Sequence, residues 1–119
     1  MLNAGINAHT RFENLKDVGT AHSLMNTNYF ANLYLFKYLF KLLKKSKANV
    51  VVVNSMSGRV GLPERSIYCA SKFALAGFFD AVRTEDVPIT ITMVYPPSIN
   101  TPMRNNDILS EHSNFETTK

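Results

Sequence analysis

The sequence predicts an α/β fold with a parallel sheet, and the order of its apolar segments carries this prediction. The run NVVVVN at 49–54 is β-branched and does not alternate with polar residues, which is typical of a strand buried on both faces. The run VPITITMV at 87–94 predicts a second buried strand. Helical patterns lie at 23–45 and 65–85, before and between these runs. Strands that alternate with helices imply parallel strands joined by right-handed crossovers.

The helix predicted at 23–45 is apolar almost all round in its middle part, LYLFKYLFKLLKK. Lys37, Lys41 and Lys44 mark one narrow polar stripe. We therefore expect two covered sides, one against the sheet and one against a second subunit. The same helix carries six of the thirteen aromatic residues: Tyr29, Phe30, Tyr34, Phe36, Tyr38 and Phe40.

The two ends of the chain are less regular. Residues 1–5 predict the stub of an apolar strand that ends in a turn. Pro96, Pro97 and Pro102 argue against regular structure just after the last strand, because proline lacks an N–H and fixes φ. Residues 104–119 are polar, and we expect them to form a loose tail.

Length and composition are those of a small globular protein. A chain of 119 residues suggests a single domain, and 45% hydrophobic with 18% charged residues is close to the globular average. The net charge of +4 owes much to a cluster of lysines at 37–47. We interpret this cluster as the solvated edge and end of a helix, where cations suit the dipole, and expect no nucleic-acid partner.

Cysteine and histidine usage bears on compartment and metals. Cys69 is the sole cysteine, so a reducing, cytoplasmic location is expected. No apolar run is long enough for a membrane span, and residues 1–12 lack the pattern of a signal peptide. His9, His22 and His112 share no metal-ligand spacing with Cys69, so we expect no metal site.

Three residues could carry acid–base chemistry. Tyr68 and Lys72 lie four residues apart on the second helix, and hence on one face. An ammonium beside a phenol favours the phenolate, so we expect Lys72 to lower the pKa of Tyr68. Ser55 directly follows the strand at 49–54, and ligands bind outside the carboxyl ends of parallel strands. The plainer interpretation is a structural Tyr/Lys pair and a turn serine, and only the combination favours catalysis.

The sequence also contains five motifs that belong together. In chain order they are NAG at 3–5, Asn28, NSMSG at 54–58, YCASK at 68–72 and YPPSINTPM at 95–103. In type, order and spacing they resemble the motifs of the short-chain dehydrogenase/reductase family. Within it, the segment around YCASK is most similar to the branch of corticosteroid and retinol-type dehydrogenases.

The resemblance implies a Rossmann-like fold, a doubly wound parallel sheet with helices on both faces. Residues 1–103 would be the middle part of that domain, from the fourth strand to the loop after the sixth strand, without the first βαβ units. The implied activity is that of an NAD(P)-dependent oxidoreductase, which interconverts a small alcohol and a carbonyl compound. The implied cofactor is NAD or NADP.

The resemblance also assigns catalytic roles. Tyr68 would pass the proton to or from the substrate oxygen, and Ser55 would hydrogen-bond the substrate carbonyl. Lys72 would hold the nicotinamide ribose and lower the pKa of Tyr68. Asn28 would anchor a water molecule that links Lys72 to solvent. Ser57 competes with Ser55 for its role, and the spacing to Tyr68 favours Ser55.

The cofactor-binding residues implied by the resemblance come from three motifs. They are Asn3, Gly5, Tyr68, Lys72, Pro96, Ile99 and Thr101. The resemblance further implies a homo-oligomer formed through the helices at 23–45 and 65–85.

Two departures from the family pattern qualify these expectations. The chain shows no Gly-rich phosphate-binding turn, and Pro97 stands where the family has glycine. We therefore expect the 119-residue chain by itself to bind NAD(P)H weakly, and to fold poorly or self-associate. The alternative to an enzyme is a truncated, non-catalytic relative that acts as a binding or dimerisation partner.

Overall fold

A computed structural model describes residues 1–109. The helices are α1 (Gly19–Met25), α2 (Ala31–Lys45), α3 (Ser66–Val82) and α4 (Pro102–Asn105), and the strands are β1 (Asn49–Val53) and β2 (Thr90–Val94). A π-helical turn at Asn26–Phe30 joins α1 directly to α2. Short 3₁₀ turns lie at Phe12–Asn14 and Met56–Gly58.

The strands pair in parallel, with Asn49 opposite Thr90 and Val53 opposite Val94. Leu2 pairs with β1 on its other edge, through Leu2 N to Val51 O at 2.8 Å and Val53 N to Leu2 O at 2.9 Å. β1 is therefore central, flanked by β2 and by the expected stub. This arrangement confirms a partial α/β fold.

Both long helices pack on one face of this sheet. Phe36 of α2 and Phe79 of α3 share a hydrophobic core with Val50, Val52 and Ile91. Right-handed crossovers explain the arrangement, because they carry α2 and α3 to the same side.

The opposite face of the sheet is open among the described residues. On β2, the exposed residues are Thr90, Thr92 and Val94, and 40% of the surface of Val94 is exposed. The expected burial of both strands on both faces is therefore wrong for β2.

The helix and strand boundaries differ from the predicted ones for local reasons. The first helix begins at Gly19 instead of residue 23, where the Asp17 carboxylate accepts the Gly19 N–H at 2.7 Å. The last strand begins at Thr90 instead of residue 87. Pro88 has no N–H, and Ile89 N donates to Val87 O instead of to β1. α3 is shorter than 65–85 at both ends.

The segment after β2 is more regular than expected. Pro102 does not prevent a helix there, because it occupies the first turn of α4, where a missing N–H costs nothing. Beyond it, Ile108 N donates to Asn7 O at 3.1 Å, and Leu109 packs on a small cluster containing Leu24 and Tyr68. The packed part of the chain thus continues to Leu109.

Some sequence expectations fall outside the described part. Residues 110–119, including His112, lie beyond it, so the expected loose tail stays a prediction. Within residues 1–109 no helix is long and apolar enough to cross a bilayer. In the same range, no three His, Cys, Asp or Glu side chains lie together as metal ligands would.

Candidate active site

A cavity of about 410 Å³ opens at the carboxyl ends of β1 and β2. Four segments line it: the N-terminal segment with Asn3 and Asn7, the chain between the end of β1 and α3, the first turns of α3 and the segment from Pro96 to Met103. This is the place where open parallel sheets bind ligands, because both strand ends and the loops that follow them face one crevice.

α3 brings Tyr68 and Lys72 to this cavity on successive turns. Both residues are buried, with 6% and 4% of their surface exposed. The Lys72 ammonium lies 5.8 Å from the centre of the Tyr68 ring. The backbone of this turn is tied to β1, because Asn54 Nδ2 donates to Lys72 O at 3.1 Å.

Asn54 also sets the path of the chain to Ser55. Its Oδ1 accepts the Ser55 N–H at 2.9 Å, and a Cβ on Gly58 would lie 2.6 Å from the same Oδ1. Gly58 is therefore required for the close approach of the 3₁₀ turn to Asn54.

The structure distinguishes the two candidate serines. Ser55 Oγ accepts the Ser57 N–H at 3.2 Å, and the Ser55 side chain interacts with the Tyr68 phenol. Ser57 also lines the cavity, but no contact with Tyr68 is described for it. The geometry therefore favours Ser55 as the partner of Tyr68, as its spacing predicts.

The electrostatics of Tyr68 differ from the expectation. Burial raises its pKa above the ordinary value of 10.0, and the Ser55 hydrogen bond and the Arg65 charge offset this only in part. The pKa of Tyr68 is therefore raised overall in the described part of the chain, and not lowered as the Tyr68–Lys72 spacing predicts. Lys72 is itself affected, because burial lowers its pKa to about 8.

Asn28 lies behind the cavity, in the π-helical turn, and is fully buried. Its Oδ1 accepts the Ile6 N–H at 2.7 Å, and its Nδ2 donates to Ile6 O and to Ser71 Oγ, both at 3.0 Å. Both side-chain donors are thus used by protein partners. The role of Asn28 as a water anchor stays a prediction.

Most of the expected cofactor-binding residues meet in the cavity. Those of them that line it are Asn3, Tyr68, Lys72, Pro96, Ile99 and Thr101. Gly5 does not line it but lies against Lys72, where a Cβ would stand 3.4 Å from both Lys72 Nζ and Asn28 Oδ1. A methyl group at this position would be in ordinary van der Waals contact with the lysine.

Sequence reasoning missed two residues of this site. Arg65 lines the cavity one turn before Tyr68, and its guanidinium donates to Asn7 Oδ1 at 2.6 Å. The spacing of three residues to Tyr68 was the available signal. The sequence near Asn7 does not indicate its role, because 58 residues separate it from Arg65.

A family comparison agrees with this fold. The short chain dehydrogenase family matches residues 1–111. The chain belongs to that family.

Particular relatives are dehydrogenases by name. The chain is 33% identical to 11-beta-hydroxysteroid dehydrogenase-like 4A of Arabidopsis thaliana over 114 residues, which is 95% of this chain and 38% of that protein. It is 36% identical to dehydrogenase/reductase SDR family member 7B of Xenopus tropicalis over 116 residues, which is 95% of this chain and 37% of that protein. The chain thus spans well under half the length of these relatives.

Solved structures agree on the fold. A short-chain dehydrogenase from Burkholderia cenocepacia J2315, in complex with NADP, superposes with a TM-score of 0.80 at 29% identity. The match covers 87% of this chain and 45% of that one. An alcohol dehydrogenase from Thermococcus sibiricus, at 19% identity, gives 0.81 over 88% of this chain and 44% of its own. The partial Rossmann-like fold is thereby confirmed.

Proposed function

We propose that this chain carries the acid–base centre of an NAD(P)-dependent oxidoreductase that interconverts an alcohol and a carbonyl compound. The observation that carries the proposal is the meeting of Ser55, Tyr68 and Lys72 in one cavity at the ends of parallel strands. The dehydrogenase names of the relatives and the NADP bound to the Burkholderia protein support it. Among residues 1–109 nothing favours the alternative of a non-catalytic partner protein.

The cavity fits one end of a nicotinamide cofactor. Its volume of about 410 Å³ lies within the range of small-molecule sites. Its only charged lining side chains among the described residues are the cations Arg65 and Lys72, which suits an anionic ligand. Lys72 would hold the ribose, and Ile99 and Thr101 would contact the nicotinamide. When bound, the cofactor supplies or accepts the hydride.

Tyr68 and Ser55 would handle the proton. In reduction, the Tyr68 phenol donates its proton to the carbonyl oxygen while the carbon gains the hydride, and an alcohol forms. In oxidation, the phenolate takes the proton back from the hydroxyl. Ser55 Oγ holds that oxygen in place through a hydrogen bond. The raised pKa keeps Tyr68 protonated at neutral pH, ready to act as the acid.

Asn28 supports this centre from behind. Its side chain ties Ile6 to Ser71, and Ser71 Oγ donates to Tyr68 O at 2.8 Å. A water molecule implied by the family resemblance would bind at the Oδ1 lone pair that Ile6 leaves free.

The proposals on assembly and location rest on one surface feature and one sequence feature. Tyr34, Leu35, Tyr38 and Leu42 form an exposed apolar strip on α2, and Tyr38 is 86% exposed. We propose that this strip pairs with a second copy of the chain. The single cysteine, buried in α3, supports a reducing, cytoplasmic compartment.

The test is NAD(P)H consumption at 340 nm by the protein expressed from its complete reading frame, with a panel of ketones and aldehydes. We expect turnover with at least one carbonyl class, and a loss of 10²- to 10⁴-fold in kcat for Tyr68→Phe. Tyr95→Phe is the matched control, because it removes the same hydroxyl from a tyrosine that does not line the cavity. Full activity in Tyr68→Phe, or no turnover with any carbonyl, would refute the proposal.

A further inference from the structure

Two cations face the ring of Tyr68. The Arg65 guanidinium carbon lies 5.5 Å from the ring centre, and the Lys72 ammonium nitrogen lies at 5.8 Å. Both distances are within the range of a favourable cation–aromatic contact. Arg65 also lines the cavity, so its charge borders the proposed ligand site.

Arg65 is held in place by a neutral group. Its guanidinium donates to Asn7 Oδ1 at 2.6 Å, and Asn7 is 4% exposed. Asn7 is fixed in turn, because its Nδ2 donates to Asp107 Oδ2 at 3.3 Å. Within residues 1–109 no carboxylate pairs directly with Arg65, so its charge is not cancelled at the site.

The two cations differ in how long they keep their charge as pH rises. Burial lowers the pKa of Lys72 to about 8, so its charge fades above that pH. A guanidinium stays protonated throughout. The attraction of Arg65 lowers the pKa of Tyr68 against the larger effect of burial.

The other groups that face Tyr68 are few. Ser55, from the loop after β1, favours the phenolate through its hydrogen bond, and Cys69 opposes it. Asp107 lies one residue further out, behind Asn7.

We propose that Arg65 acts through Tyr68, as the permanent cation that stabilises its phenolate, with Asn7 as the residue that holds Arg65 in position. The proposal rests on the proposed role of Tyr68 as the acid–base group. It assigns Arg65 a positioning role in addition to that of Lys72. Its consequence is a tyrosine that can give up its proton even where Lys72 is neutral.

The test follows the Tyr68 phenol directly, without cofactor. The full protein is labelled with [¹³Cζ]tyrosine, and the Tyr68 signal is assigned by its loss in Tyr68→Phe. We expect Arg65→Gln to raise the pKa of Tyr68 by about one unit, and Arg65→Lys to restore most of the wild-type value. The descending basic limb of the pH–rate profile for reduction should move the same way.

The chain offers a matched control in a second arginine–tyrosine pair. The Arg59 guanidinium carbon lies 4.4 Å from the centre of the Tyr95 ring, and neither residue lines the cavity. Arg59→Gln should move the Tyr95 signal and leave the Tyr68 titration unchanged.

A second variant pair keeps the test independent of Arg65 itself. Asn7→Asp combined with Asp107→Asn preserves a hydrogen bond between the two positions but places a carboxylate against the guanidinium. We expect this pair also to raise the pKa of Tyr68.

An unchanged Tyr68 titration in folded Arg65→Gln would overturn the proposal. Where Arg65→Gln does not fold, an unchanged titration in the Asn7/Asp107 pair would do so. A shifted titration in a protein without carbonyl reduction would refute the proposed function and leave the Arg65 effect standing.

Discussion

Tyr68 and Tyr95 each lie beside an arginine, but the other groups around the two tyrosines differ. Burial raises the pKa of both, and an arginine faces each ring. Tyr68 opens on the cavity and has Ser55 as a hydrogen-bonding partner. The Tyr95 hydroxyl is buried without a partner among the described residues.

The two arginines also differ in whether a carboxylate neutralises their charge. Arg59, above Tyr95, forms an ion pair with Asp80 at 3.1 Å, and Arg83 lies 3.5 Å from the same carboxylate. That carboxylate opposes ionisation of Tyr95. Within residues 1–109, the side-chain partner of the Arg65 guanidinium is the neutral Asn7 amide. A buried tyrosine becomes suited to proton transfer through uncompensated cations and access to a ligand, and burial alone does not provide these.

The largest expected effect is on turnover. Tyr68→Phe should lower kcat by 10²- to 10⁴-fold, whereas Tyr95→Phe should leave it within about twofold, because only Tyr68 reaches the cavity. Steady-state kinetics on both variants, with circular dichroism as a check on folding, measure this contrast. Equal losses in the two variants would remove the distinction between the sites.

The next effect is on stability and its pH dependence. Lys72 has a pKa of about 8 in the folded chain and 10.5 as its ordinary value, so between these pH values the unfolded chain holds more protons. The free energy of unfolding should therefore rise with pH across this window. Lys72→Met should remove that rise and stabilise the chain by about 1–3 kcal/mol at pH 7.

Urea unfolding at pH 7 and pH 9.5 measures the Lys72 effect. The upper limit avoids the ionisation of Tyr68, whose raised pKa costs stability only above its ordinary value of 10.0. The exposed Lys45→Met is the control and should keep the wild-type slope. A Lys72→Met variant with that same slope would contradict the burial effect.

A smaller effect tests the loop that presents Ser55. Gly58→Ala should destabilise the chain by about 1–3 kcal/mol, because its Cβ would push Asn54 away from β1 and α3. Gly61→Ala is the control, since no atom lies within 4 Å of its added Cβ. Thermal unfolding of both variants measures the difference. Equal melting temperatures would show that Asn54 can move freely.

The smallest effect concerns the unpartnered hydroxyl. Tyr95→Phe removes a buried polar atom that has no described partner, so the free energy of unfolding should stay constant or rise by up to about 1 kcal/mol. Denaturant unfolding checks the sign. A clear loss of stability would mean that the hydroxyl has a hydrogen-bonding partner in solution.

The sequence was sufficient where local rules apply. The four-residue spacing of Tyr68 and Lys72 placed both on one helix face, and the position of Ser55 after β1 placed it at the ligand-binding edge. The parallel pairing followed from the alternation of strands and helices. Each of these inferences depends on neighbours in the chain or on the handedness of a crossover.

Long-range contacts could not be predicted from the sequence. The Arg65–Asn7 hydrogen bond depends on two segments 58 residues apart. The pKa of Tyr68 depends on how much water the fold excludes, which spacing does not reveal. The exposed face of β2 was missed because its composition resembles that of a fully buried strand.

The π-helical turn at Asn26–Phe30 corrects the phase of a long helix. Leu24, Asn28, Asn32 and Phe36 are buried at four-residue intervals. In a regular α-helix, twelve residues would rotate the last of them by about 120° from the first. The wide turn absorbs one residue and takes back about 100°, so all four side chains point the same way. Deleting one residue from this turn would therefore convert it into a regular α-helix and leave Phe36 facing the core, because the eleven remaining steps from Leu24 rotate it by only about 20°.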